Sequence, residues 1–188
     1  MKDLGRLKYF LGIEVLRSKQ GIFMCQKKYI LDLRTEIGML DCKPADTPMI
    51  ENQKLYMEEK TELADKERYQ RMVGKLIYLS HTRPDIAYAI GVISQFMHQP
   101  QSAHMDVVLR IIRYLKGMSG HGVLFIPNGH LETQVYTDAD WVGDKGSRRS
   151  TSSYFTLVGG NLVTWRSKKQ TVVALSSAEA ELRGIARG

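Results

Sequence analysis

Tyr136-Thr137-Asp138-Ala139-Asp140-Trp141, read together with Ser176-Ser177-Ala178-Glu179-Ala180-Glu181, decides how this chain is understood. The first stretch reads as a strand that ends in acid. With a side-chain period of two, Tyr136, Asp138 and Asp140 share one face, and Val135 and Thr137 share the other. An acid on a central strand needs a cation, because burying an unpaired carboxylate is costly. If the strand has already ended, both aspartates are solvated loop residues. The second stretch reads as a helix start. Ser176-x-x-Glu179 has capping-box spacing, which gives Glu179 a structural role. Glu181 lies two residues on, about 200° around a helix of 3.6 residues per turn. It is therefore free to face the sheet, or else it is a solvent-exposed glutamate. If the fold joins the two stretches, Asp138 and Glu181 aim two carboxylates at one place. Such a pair holds divalent metal for phosphodiester chemistry.

Two rival motifs fail on their residues. A calcium loop wants acids at alternate positions followed by glycine, but Val142 stands at the third acid position and Trp141 intervenes. Val142 also stands where a phosphatase-type Asp-x-Asp-x-Thr needs its threonine. Two basic turns flank the acids, Ser147-Arg148-Arg149-Ser150 and Ser167-Lys168-Lys169-Gln170. Arg148, Arg149, Lys168 and Lys169 suit a polyanionic substrate; basic turns also serve solubility.

The totals set outer bounds. At 188 residues and 43% hydrophobic, the chain can bury a core in one or two domains. Charged residues make up 25%, so disorder is not the default. A net charge of +7 favours a polyanionic partner or marks ordinary solvated surface. Cys25 and Cys42 lack metal-type spacing and read as thiols in a reducing compartment, which excludes a disulfide framework. The start, Met1 to Arg6, lacks the apolar run of a signal peptide, and no segment is apolar for long enough to span a bilayer. The expectation is a soluble intracellular protein with no membrane partner.

Upstream, residues 8–30 read as a hairpin. Tyr9 to Leu16 forms one strand, Ser18 to Gly21 the turn, and Ile22 to Cys25 the return. Tyr29, Ile30, Leu33 and Ile37 then follow helical spacing up to Gly38. Pro44 and Pro48 hold an extended connector. Three antiparallel helices follow. The first buries Tyr69, Met72, Val73, Leu76 and Ile77. The second opens with Thr82 and Asp85 at capping-box spacing and buries Ile86, Ala89, Ile90 and Ile93. The third is capped by Ser102 and buries Val107, Val108, Ile111, Ile112 and Leu115. Arg110, Arg113 and Lys116 lie at three-residue steps on this third helix, away from its apolar stripe. They either track a phosphate backbone or form a solvated face. After Gly117 the period changes to two, with strands at 123–126, 133–141, 153–158 and 162–165.

The chain resembles the ribonuclease H domain of copia-type retrotransposon Pol polyproteins through Tyr136 to Trp141, Arg148 to Ser152, Trp165 to Gln170 and Ser176 to Glu181. Upstream, Leu7 to Val15, Cys42 to Pro48, Val73 to Leu79, Thr82 to Ala89 and Arg113 to Gly117 resemble the end of that family's reverse transcriptase. The resemblance implies an α+β fold in which a β-hairpin and helical thumb/connection region precede a truncated ribonuclease H-like mixed α/β sheet. The implied divisions are a primer-grip-like hairpin and helix at 1–50, a three-helix connection-like region at 51–126, and the start of a ribonuclease H domain at 127–188. It implies that Asp138 and Glu181 are catalytic and bind Mg2+, and that the intact polyprotein copies RNA into DNA and cuts the RNA strand of RNA/DNA hybrids. The implied partners are an RNA/DNA hybrid or template–primer duplex and the rest of the Pol polyprotein, in a cytoplasmic virus-like particle or the nucleus. The family's paired palm aspartates and later ribonuclease H acids are absent, and Leu182 and Ser153 stand where it usually has Tyr and Gly. The expectation is therefore an incomplete site that is inactive alone. A non-catalytic, basic nucleic-acid-binding module is the alternative.

Overall fold

The computed structural model describes residues 5–50, 53, 55, 62–141 and 148–186. Met1 to Leu4, Val142, Ser147 and the tail residues 187–188, all used in the sequence readings, lie outside the described residues. Among those described, the chain forms two antiparallel sheets and five α-helices, an α and β mixture as expected.

The first sheet corrects the reading of 9–16 as one strand. β1 (Tyr9–Phe10) and β2 (Ile13–Arg17) fold back on each other, with Phe10 opposite Ile13. Leu11 and Gly12 make the turn at φ of 48° and 85°. A two-residue hairpin of this kind needs positive φ at both central positions, and glycine supplies one without steric cost. β3 (Ile22–Cys25) pairs with β2 as expected. β4 (Gly122–Phe125) pairs with β3, so this strand closes the first sheet after a long excursion through the helices.

The helices pack one core. α1 (Lys27–Glu36) stops before Gly38, which sits at φ 71°. α2 (Lys66–Leu79) is capped by Asp65, whose carboxylate accepts from the Arg68 N–H at 3.0 Å. α3 (Ala87–Ile93) lies between two 3₁₀ turns, and α4 spans Ser102–Gly117. Ile30, Leu33, Tyr69, Met72, Leu76, Ile93, Val108, Ile111 and Ile112 are all buried in one cluster. Each such side chain contributes about 1.5–3 kcal/mol on leaving water, so this cluster anchors the fold. Ile77, expected on the buried stripe of α2, is 39% exposed.

Two caps differ from the sequence reading. The Thr82 hydroxyl is buried and donates to Gln26 Oε1 at 2.8 Å instead of capping a helix. Asp85 is held by Arg83, whose Nε and Nη2 donate to its two oxygens at 2.9 and 2.6 Å. Burial alone favours the neutral Asp85, but the Arg83 guanidinium and the Tyr114 hydroxyl outweigh it and hold its pKa below the usual carboxylate range. At α4 the cap is Gln101, not Ser102. The Ser102 N–H is already taken by the Glu62 carbonyl at 3.0 Å, and Leu63 bridges Gln101.

The second sheet is the meander β5 (Thr133–Asp140), β6 (Thr151–Val158) and β7 (Asn161–Lys169), antiparallel throughout. Gly159 and Gly160 turn the last pair at φ of 54° and 74°. α5 (Ser177–Ile185) covers one face. On the other side α3 approaches β7 so closely that a Cβ on Gly91 would lie 2.8 Å from the Ser167 carbonyl oxygen. The Trp165 indole N–H donates to the Ser80 carbonyl at 2.9 Å, tying sheet to helices. Among the described residues no helix is long and apolar enough to cross a membrane.

Candidate active site

The strand and helix singled out in the sequence do meet. Ser176 caps α5, its hydroxyl accepting from the Glu179 N–H at 3.1 Å. Glu179 reaches back to the Leu175 N–H at 2.7 Å, one residue earlier than a standard capping box, and also accepts from Arg183. The Leu175 bond, followed by Arg183, holds the Glu179 carboxyl below its usual pKa. Glu179 is thus committed to the cap.

Glu181 is half-buried, and its Oε1 accepts from the Ala139 N–H at 3.2 Å. That N–H belongs to the peptide joining Asp138 to Ala139. It lies on the outer edge of β5, where no other strand pairs among the described residues. The contact is made possible by small residues. Ala139, Ala174 and Ala180 form a buried cluster, and Gly184 lies against Ser152 and Ala139.

Gln170 fixes the same junction. It is 2% exposed, and its Nε2 donates to Ser152 Oγ and to the Ala180 carbonyl, each at 2.8 Å. The Trp141 indole N–H donates to the Ala174 carbonyl at 3.1 Å, holding the approach to α5. The sequence reading placed Gln170 in a basic turn and missed this positioning role. A buried amide bridging two elements leaves no spacing signal in one sequence.

Asp138 is exposed, and its side chain alternates to the face away from Ala139 and α5. Asp140 shares that face, and its charge helps raise the Tyr88 pKa, after burial. Asp138 and Glu181 therefore flank one peptide unit from either side of a strand edge. Among the described residues no group of three His, Cys, Asp or Glu side chains gathers to hold a metal.

The basic residues divide into two sets. On α4, the Arg110 Nη2 donates to Thr47 Oγ1 at 3.0 Å and the Lys116 Nζ to the Leu40 carbonyl at 2.7 Å, so both tie down the 40–47 connector. Arg113 is half-buried beside them. The other set gathers near the acids. Lys168 lies opposite Ser152, and Lys169 opposite Thr151, which in turn faces Asp140. Arg148 and Arg149 are exposed just before that end of β6, with Arg148 at φ 55°. Strand register thus brings Arg148, Arg149, Lys168 and Lys169 to the sheet end that carries Asp138 and Glu181.

No family model matches the chain, and no solved structure matches it. Curated relatives do. The retrovirus-related Pol polyproteins from transposons RE1 and RE2 of Arabidopsis thaliana are 44% and 42% identical over 99% of this chain. The chain spans 13% of the length of each. An uncharacterized mitochondrial protein of the same plant is 41% identical, again over 99% of this chain, and the match covers 77% of that protein. Identity at this level along nearly the whole length of this chain is the mark of common descent, and the chain is homologous to a segment of these retrovirus-related Pol polyproteins.

Proposed function

We propose that this chain is the end of a reverse transcriptase joined to the start of a ribonuclease H-like domain, and that it carries the first two carboxylates of a nuclease site. The observation that carries the reading is the Glu181 bond to the Ala139 N–H, which sets Glu181 beside the peptide of Asp138. Mg2+ takes few protein carboxylates and completes its shell with water and substrate phosphate. One aspartate and one glutamate at an open strand edge fit the beginning of such a set.

Asp138 and Glu181 would hold the metal, which supplies charge stabilisation at the phosphate and an activated water. The chain's own residues do the remaining work. Gln170 and Ser176 hold α5 in place, which keeps Glu181 within reach of the Ala139 N–H. Arg148, Arg149, Lys168 and Lys169 attract the hybrid's phosphates to that end of the sheet. An RNA/DNA hybrid held this way is gripped through its backbone, with little reading of sequence. Turnover belongs to a longer polyprotein, like the relatives of which this chain spans 13%.

Titration with Mn2+, followed by NMR, tests the site directly. The amide signals around Ala139 broaden in the wild-type chain, and the broadening is lost in Asp138→Asn and in Glu181→Gln. Broadening that persists in both variants overturns the assignment. In a Pol polyprotein carrying this segment, either substitution abolishes Mg2+-dependent cleavage of a labelled RNA/DNA hybrid. Salt-sensitive hybrid binding with no metal response would favour the non-catalytic module instead.

A further inference from the structure

The sheet face that carries Asp138 is shared with the helices. Across the three strands Asp138 stands opposite Ser153, and Ser153 opposite Ser167. Along that row the Ser153 hydroxyl donates to Ser167 Oγ at 3.0 Å. Ser167 then meets α3. A Cβ on Gly91 would lie 2.8 Å from the Ser167 carbonyl oxygen and 3.8 Å from its side chain. The Trp165 side chain is on the same face by alternation, and its indole donates to Ser80 at the end of α2. Two side chains of β7 thus point at α2 and α3. The α2–α3 pair therefore lies on the Asp138 side of the sheet, opposite α5.

Tyr88 is what α3 brings to that side. It precedes Gly91 by three residues, so the two are neighbours on the helix surface. Ala89 and Ile90 turn into the helical core, whereas Tyr88 is 50% exposed. Burial, followed by the charge of Asp140, raises its pKa. The phenol therefore lies within electrostatic reach of that carboxylate and stays protonated in neutral solution. Among the described residues its hydroxyl makes no hydrogen bond. Asp140 shares the face of Asp138, two residues and about 7 Å along the strand at its ordinary rise. An unspent donor from the helical half thus stands beside the aspartates of the sheet.

We propose that Tyr88 is a substrate-binding residue of the nuclease site, its hydroxyl donating to a backbone phosphate of the hybrid where that backbone passes the Asp138–Asp140 face. The inference rests on the nuclease reading for its substrate, and adds that the cleft has two walls, one from the sheet and one from α3. A cation in this position would pair with the aspartates and compete with the metal. A neutral phenol donates to phosphate without doing so. The contact is to backbone, which agrees with a hybrid gripped with little reading of sequence.

Fluorescence anisotropy of a labelled RNA/DNA hybrid with the full chain in Mg2+ tests it, with the strands confirmed intact on a gel after each titration. Tyr88→Phe keeps the ring and its packing and removes only the hydroxyl. It weakens binding by about tenfold or more, the loss expected for a hydrogen bond to a charged group. The dependence on salt keeps the wild-type slope, because no cation has been removed. The Mn2+ broadening around Ala139 persists in Tyr88→Phe and is lost in Asp138→Asn, so failure of the metal site and failure of the phosphate contact are separate results. Should a thermal melt show Tyr88→Phe unfolded, Tyr88→Met, which also lacks the hydroxyl, must weaken binding in its place. Three results would overturn the contact: hybrid binding by folded Tyr88→Phe as tight as wild type, a changed salt slope, or a wild-type chain that responds to Mn2+ but does not bind the hybrid.

Discussion

At the residue scale, two polar groups show how burial changes what a side chain does. His104 is fully buried, stacked on Phe96 at 3.8 Å, and its Nδ1 accepts from the Gln101 N–H at 2.9 Å. Loss of water around the ring pushes its pKa below the ordinary value. The fold therefore prefers neutral imidazole, while the unfolded chain takes up a proton below about pH 6.5. The unfolded state then binds more protons, so stability falls as pH drops from about 7 toward the folded-state value. Thermal melts across this range will show that slope, and His104→Asn will remove its share of it. No spacing or composition signal marks this histidine's environment in the sequence. The sequence pointed to Ser102, the better cap by type. The cap is Gln101, whose N–H is met by His104 Nδ1 three residues on.

At the scale of elements, glycines report how close two pieces of backbone come. Gly184 lies inside α5, where glycine costs about 1 kcal/mol relative to alanine. A Cβ there would meet Ser152 Oγ at 3.5 Å and the Ala139 side chain at 3.8 Å, which is ordinary contact. Gly184→Ala is expected to raise stability by up to about 1 kcal/mol and to keep α5 on the sheet. Gly91 gives the opposite result. Its added Cβ would strike the Ser167 backbone oxygen at 2.8 Å, and backbone cannot swing aside. Gly91→Ala should cost about 1–3 kcal/mol, as overpacking does. Urea titration of the two variants, moving the midpoint in opposite directions, checks both. Elements with a long apolar stripe, such as α2 and α4, were legible from periodicity. The β1–β2 hairpin was not, because its two strands together look like one aromatic and β-branched run.

For the whole molecule, the question is what joins the two sheets. Asn161 at the β7 start accepts from the Ile126 N–H at 2.7 Å and donates to the Ile126 carbonyl at 2.9 Å, clasping the exit of β4. Asn128 adds a bond to the Gly159 carbonyl at 2.6 Å. Asn161→Ala removes the clasp and should cost about 1–2 kcal/mol, lowering Tm by about 2–8 °C in a calorimetric scan. The sequence alone determined the helical core, the acid-tipped strand and the capped helix, because apolar period and cap chemistry are local and survive without neighbours. It also carried the family likeness, which the relatives bear out at the level of a Pol polyprotein. Tertiary structure alone decided that β4 closes the first sheet, that Glu181 bonds the peptide of Asp138, and that Arg110 and Lys116 hold a connector. Those outcomes rest on pairings between residues far apart in the chain, and long-range pairing is set by which surfaces fold brings together, not by any spacing along it.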